Sequence, residues 1–175
     1  MKKFHYDKVY SKPNTKYGHS NHGRRHINAI LKFQPESWLD VGCGYNELIK
    51  KVREDHIKDS WGIDFSCPGA DQQCDILDLP FSDNRWDFIS AFDVMEHIYP
   101  DKVSIALEEM KRVSKRFVFT ISFREAGQEI DGVNAHPTVW SSEVWFETIE
   151  SVGGKIWDVD IKNNKSPKFF IGEWI

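Results

Sequence analysis

Glu36-Ser-Trp-Leu-Asp-Val-Gly-Cys-Gly-Tyr-Asn46 runs, through a short amphipathic stretch, into Trp61-Gly-Ile-Asp64-Phe-Ser. The pattern reads as a buried strand, a glycine turn, a helix, and a second strand ending in a carboxylate. Gly42 and Gly44 let the backbone turn sharply and let a ligand lie against it. Asp64 stands twenty residues after Gly44, where such units place an acid on ribose hydroxyls. An adenosine-containing ligand is the leading implication.

The charges decide which one. A dinucleotide fingerprint needs Gly or Ala three places after the second glycine, under the pyrophosphate; here that place is Glu47, which repels a diphosphate. A P-loop needs Gly-Lys-Ser/Thr, and none occurs. A sulfonium cofactor carries positive charge at its methionyl end, so Asp40 and Glu47 are tolerable or helpful beside it. Charge favours S-adenosylmethionine (SAM).

The run Trp38-Leu-Asp-Val-Gly-Cys-Gly44 resembles the first motif of class I SAM-dependent methyltransferases. Gly62-Ile-Asp64, Cys74-Asp-Ile-Leu-Asp-Leu-Pro-Phe81 and Trp86-Asp-Phe-Ile-Ser-Ala-Phe-Asp-Val-Met-Glu-His97 follow in register. The likeness spans residues 36–122 and points to the small "type 11" branch. It departs at the third glycine, which is Asn46, a residue that tolerates a left-handed backbone. Ser114-Lys-Arg116 replaces the Lys-Pro-Gly-Gly turn, and Phe65–Gln73 is too short for the customary helix between strands two and three. The resemblance implies a Rossmann-like doubly wound α/β sheet of order 3-2-1-4-5-7-6 with strand 7 antiparallel. It also implies that Gly42 and Gly44 approach the methionyl part, Asp64 the ribose, and Asp75 with Ile76 the adenine. Asp40, Cys43, Asn46, Phe65 and Phe92 complete the expected cofactor set. From the arm, Tyr17-Gly18 and Asn21-His22-Gly23 are expected to cover the cofactor's carboxylate, with Arg24 or Arg25 as its cation.

The chain's 175 residues suffice for one domain with a real core. We expect a basic arm and lead-in helix over residues 1–35 and the cofactor-binding domain over 36–175. The arm holds eight Lys/Arg and one acid, against 15 and 26 in the remainder. A basic arm on an acidic body suits RNA or another anion; a solvated terminus is the plain alternative. No apolar run approaches the roughly 20 residues that span a membrane, and the start lacks a signal peptide's apolar centre. Three cysteines, Cys43, Cys67 and Cys74, lack zinc-ribbon spacing, so a reducing cytoplasm is the expectation.

Residues 1–21 read as an irregular arm and His22–Phe33 as a short helix. Strands are expected at Trp38–Val41, Trp61–Asp64, Gln73–Ile76, Trp86–Phe92 and Phe117–Ser122, and in a closing hairpin, Lys155–Ile161 with Phe169–Ile175. Helices are expected at Asn46–Glu54, after Pro100, and after a Ser141 or Ser142 cap.

Asp93, Glu96 and His97 form the most chemical cluster. On a helix starting past strand four, their spacing puts them on one face. Methyl transfer needs alignment and exclusion of water, and a base only when the acceptor carries a proton of high pKa. Glu96, His97 and His136 are the catalytic candidates. A backbone-bonded structural role for Glu96-His97 is the alternative. With Asp93 they make a hard-leaning site for Mg²⁺ or Mn²⁺. That set resembles the Glu-x-x-Glu-His plus distal His of metal-assisted RNA 2′-O-methyltransferases and of a quinone-pathway branch. The long loop over residues 124–140 offers Asn134, His136 and Trp140 to an acceptor.

No Asn/Asp-Pro-Pro-Tyr/Phe follows strand four and no Pro-Cys pair exists. Exocyclic-amine DNA methylation and covalent cytosine chemistry are thereby disfavoured. The leading expectation is transfer from SAM to O or N of a small polar metabolite or sugar. RNA methylation through the arm and a non-catalytic SAM- or S-adenosylhomocysteine (SAH)-binding subunit are its rivals.

Overall fold

In the computed structural model, residues 6–11, 18–19, 22–127, 129–130, 132–160 and 168–175 are described. Their centre is a seven-stranded sheet. It uses β1 (Ser37–Val41), β2 (Asp59–Asp64), β3 (Gln72–Gln73), β4 (Trp86–Phe92), β5 (Ser114–Ile121), β8 (Gly154–Asp160) and β9 (Lys168–Trp174). The spatial order is β3-β2-β1-β4-β5-β9-β8. Counting only these strands, that is the expected 3-2-1-4-5-7-6. The pairs from β3 to β5 are parallel, while β9 runs antiparallel to both β5 and β8.

The central strands are apolar on both faces because helices cover both. On one side α2 (Ile27–Leu31) and α3 (Glu47–Asp55) bury Ile30, Leu48, Ile49 and Val52 against Trp38, Phe88, Val118 and Ile171. On the other, α4 (Val103–Val113) and α5 (Ser142–Ser151) bury Leu107, Met110, Trp145 and Ile149 against Leu39, Ile89, Phe117 and Phe119. Ser141 caps α5, its hydroxyl accepting the Val144 N–H at 3.5 Å.

Residues 65–71 hold no helix, as their number requires. Asp71 fixes the connection instead, accepting Gly62 N–H at 2.9 Å and pairing with Arg53 at 2.5 Å.

Four local expectations change. The third strand stops at Gln73, so Asp75 and Ile76 lie in a turn. The fifth begins at Ser114, whose hydroxyl bonds Met110 O at 2.6 Å. The arm carries a helix, α1 (Tyr6–Tyr10), preceding a 3₁₀ turn at His22–His26. The long loop folds into a ribbon of β6 (Glu129–Ile130) and β7 (Val133–Asn134). Among the described residues, no helix is long and apolar enough to cross a membrane.

Candidate active site

The crevice lies beyond the carboxyl ends of β1, β2, β4 and β5, where the sheet order reverses around β1 and β4. Gly42 and Gly44 hold φ of +69° and +55°. A side chain at Gly44 would start 2.2 Å from the Gly18 carbonyl, so only glycine admits the arm there. Tyr45 N–H donates to that same carbonyl at 3.0 Å.

Asp64 sits at the end of β2, nearly buried, with its carboxylate turned toward the glycine turn. One oxygen accepts Ser66 and Cys67 N–H at 3.0 and 2.8 Å; the other accepts Gly44 N–H at 3.1 Å and the Tyr10 hydroxyl at 3.4 Å. Phe65 beside it is 65% exposed, an open aromatic face at the rim. Asp75 uses one oxygen on Leu77 N–H at 3.0 Å, and Ile76 packs on the core below.

Other expected cofactor residues serve from beneath. Asp40 is sealed under the turn and receives the Ser90 hydroxyl, itself held by the Trp38 indole at 2.8 Å. Burial pushes the Asp40 carboxyl up to about 7, with Ser90 opposing and Asp64 adding. Asn46, at φ +64°, turns its carboxamide to Gly62, where a side chain would meet its oxygen at 2.0 Å. The Cys43 sulfur lies 2.9 Å from that same position, and burial raises its thiol. Phe92 packs against Gly23 and stacks with His26 at 6.0 Å. Arg24 and Arg25 are exposed on the 3₁₀ turn. Tyr17 and Asn21 lie outside the described residues.

The far end of the crevice begins where β4 ends. Asp93 takes φ +57° and turns back to β5; its N–H donates to Thr120 O at 2.8 Å and its carboxylate accepts the Thr120 hydroxyl at 3.0 Å. The expected helix is a single 3₁₀ turn, Met95–His97, so Asp93 does not share a face with Glu96 and His97. Glu96 is fully buried. Its Oε1 accepts Ser122 N–H at 2.9 Å, and its Oε2 has no hydrogen-bond partner among the described residues. Burial, then the Asp93 charge, lifts the Glu96 carboxyl to about 8. His97 Nδ1 lies 2.7 Å from Ala135 O and His136 Nδ1 lies 2.6 Å from Arg124 O. A carbonyl only accepts, so each Nδ1 carries the proton and each Nε2 keeps a lone pair. The rings stand perpendicular, with centroids 4.6 Å apart. Burial, then His136, lowers the His97 imidazole to about 4.

The structure thus joins Glu96, His97 and His136, while Asn134 and Trp140 are engaged with the loop and with α5. The Asn134 carboxamide is spent on the loop, bonding Ala126 N and O at 3.1 and 3.0 Å and His136 N at 2.9 Å. Trp140 packs on Trp145 at 4.9 Å.

The arm, read from sequence as an irregular cover, instead places a helix over both ends. Helix α1 sets Tyr10 on Asp64 and edge-on to Tyr45 at 5.9 Å, while Tyr6 meets the His97 ring at 5.8 Å and Ala135 O at 3.5 Å. Val9 is buried between them, near Ala135. Tyr6, Val9 and Tyr10 fall at i, i+3 and i+4, the one sequence signal of this face.

Residues 21–150 match the sequence profile of the family described as "Methyltransferase domain". The chain belongs to that family: it is a class I SAM-dependent methyltransferase, with SAM as its cofactor. The fold is shared widely. The Burkholderia thailandensis 1,6-didemethyltoxoflavin-N1-methyltransferase, solved with 1,6-didemethyltoxoflavin and SAH, is 15% identical, with TM-score 0.70 over 95% of this chain and 83% of that one. The PH0226 protein of Pyrococcus horikoshii is 14% identical, with TM-score 0.69 over 97% and 99%. A Haloferax volcanii methyltransferase in complex with the activator Trm112 is 16% identical, with TM-score 0.69 over 87% and 89%. No curated protein sequence matches.

The residues present suit the cofactor: two left-handed glycines in the turn after β1, an acid at the end of β2, and an exposed aromatic beside it.

Proposed function

We propose that this protein transfers a methyl group from SAM to an oxygen or nitrogen of a small polar acceptor. The carrying observation is the α1 roof. One short helix touches the cofactor end through Tyr10 and the acceptor end through Tyr6. A roofed crevice of that kind suits a compact molecule better than a polymer. The Burkholderia enzyme's heterocyclic acceptor is consistent with that reading.

Bound SAM supplies a methyl group on a cationic sulfur, open to in-line displacement by an acceptor lone pair. In this proposal Asp64 holds the ribose hydroxyls and the Gly42–Gly44 backbone receives the methionyl part. Phe65 and the second oxygen of Asp75 face the adenine. The Glu96, His97 and His136 cluster engages the acceptor's polar atom, and α1 excludes water. Alignment and desolvation together account for most of what such a displacement asks of a protein.

The test gives the full chain methyl-labelled SAM with pools of small polar metabolites and of total RNA. Label in the small-molecule pool is expected. Label confined to RNA would move the acceptor to the rival class, and label in neither would favour a non-catalytic binding subunit. Asp64→Asn keeps an oxygen for Ser66 and Cys67 but loses the charged ribose acceptor. It should weaken SAM binding by about 1–3 kcal/mol; unchanged affinity by calorimetry would refute the assignment.

A further inference from the structure

We propose that Glu96, His97 and His136 form a three-donor site for one divalent transition-metal ion of intermediate softness. One potential donor atom from each lies within 4.8 Å of the other two. Three features of the cluster point to a ligand.

The first is the Glu96 Oε2, which has no hydrogen-bond partner among the described residues. A fully buried carboxylate oxygen without a partner costs about 1–3 kcal/mol or more, so natural structures seldom keep one unless something binds it. The second is the tautomer lock on both rings. Each imidazole gives its Nδ1 proton to a backbone carbonyl, at 2.7 and 2.6 Å, which fixes the ring and leaves Nε2 as a lone-pair donor. Metal-bound histidines are held from behind in this manner. The third is that Glu96 is held likewise: its Oε1 sits on Ser122 N–H, leaving Oε2 for a ligand.

The donor set defines the metal class. Asp93 is drawn off to Thr120, so the ligands are two imidazole nitrogens and one carboxylate oxygen. An all-oxygen octahedron suits Mg²⁺, whereas this set suits Zn²⁺, Co²⁺, Mn²⁺ or Fe²⁺. Donors around one ion with bonds of about 2.1 Å lie roughly 3–4 Å apart, so closure takes a movement of about 1 Å. His136 is partly exposed, so three protein donors would leave coordination positions that a ligand from solvent can reach. An acceptor hydroxyl or a neighbouring hydroxyl–carbonyl pair would fill them, oxygen to metal, with no change in oxidation state.

The experiment takes the full chain, stripped with a chelator and dialysed, and titrates it with Co²⁺, read by visible absorption and calorimetry. One equivalent of Co²⁺ is expected to bind, with Mg²⁺ weaker by roughly 100-fold or more. Glu96→Gln keeps an oxygen for Ser122, and His136→Gln removes the imidazole donor at a partly exposed position, together with its contacts to Arg124 O and the His97 ring. Each should weaken Co²⁺ binding by about tenfold or more. SAH affinity, measured in the same samples, reports whether the cofactor end is folded. Absence of saturable Co²⁺ binding by the wild type would overturn the site, as would equal Co²⁺ binding in His136→Gln that still binds SAH. Loss of SAH binding by the wild type would instead strike the methyltransferase reading.

Discussion

Asp40 lies beneath the glycine turn in a fully desolvated place, and its one hydroxyl partner, Ser90, does not offset that burial. Its folded-state carboxyl titrates at about 7 against an ordinary 3.8. The folded protein therefore holds this proton more tightly than the unfolded chain. Its contribution to stability declines as pH rises through that window, and levels off above it. Asp40→Asn, which keeps an acceptor for Ser90, should remove that slope. Between about pH 5 and pH 8 the wild type should lose about 2–3 kcal/mol relative to the variant, measured by urea unfolding at both pH values. Equal slopes would show that Asp40 ionises freely. At this scale the sequence was readable wherever spacing alone fixes position, as at Gly44 and Asp64. It failed where the outcome depends on direction. Asp93 leaves the cluster because its backbone takes φ +57°, Asn46 turns its carboxamide inward beside Gly62, and Asn134 turns inward to bond Ala126.

Among the elements, those with a long apolar period were legible and those held by context were not. Helix α4 buries Val103, Ala106, Leu107, Met110 and Val113, the spacing its sequence shows. Helix α1 has five residues, too few to hold by itself, and exists through Val9 and two tyrosines packing on the crevice. Its cluster is separate from the two that form the main core. Breaking it should therefore affect the ligand far more than the fold. Val9→Asp is expected to speed SAH dissociation by roughly three- to tenfold, a loss of about 1 kcal/mol, while unfolding free energy changes by less than about 1 kcal/mol. Stopped-flow displacement and urea unfolding measure the two. Unaltered dissociation would mean that α1 does not roof the site.

Across the whole molecule, the alternation of strands and helices favours right-handed parallel crossovers, and the resemblance to class I methyltransferases selects among the orders they allow the one seen from β3 to β5. The hairpin is different: β9 must insert between β5 and β8, joining residues about 50 positions apart in sequence. Pairing on both sides and packing against both helical layers make β9 a structural keystone rather than an added edge. Phe170 is fully buried between Phe146 and Phe123, at 5.5 and 6.3 Å. Phe169 on the opposite face stacks with His26 at 4.3 Å. A single cooperative unit follows, in which damage at β9 is felt by the distant crevice only through global unfolding. Phe170→Ala should cost about 3–5 kcal/mol, yet leave SAH affinity unchanged below the unfolding midpoint. Calorimetric unfolding with and without SAH distinguishes the cases. A retained single transition at lower temperature fits this architecture, whereas a split into two transitions would mean that the hairpin and the parallel half fold as separate units.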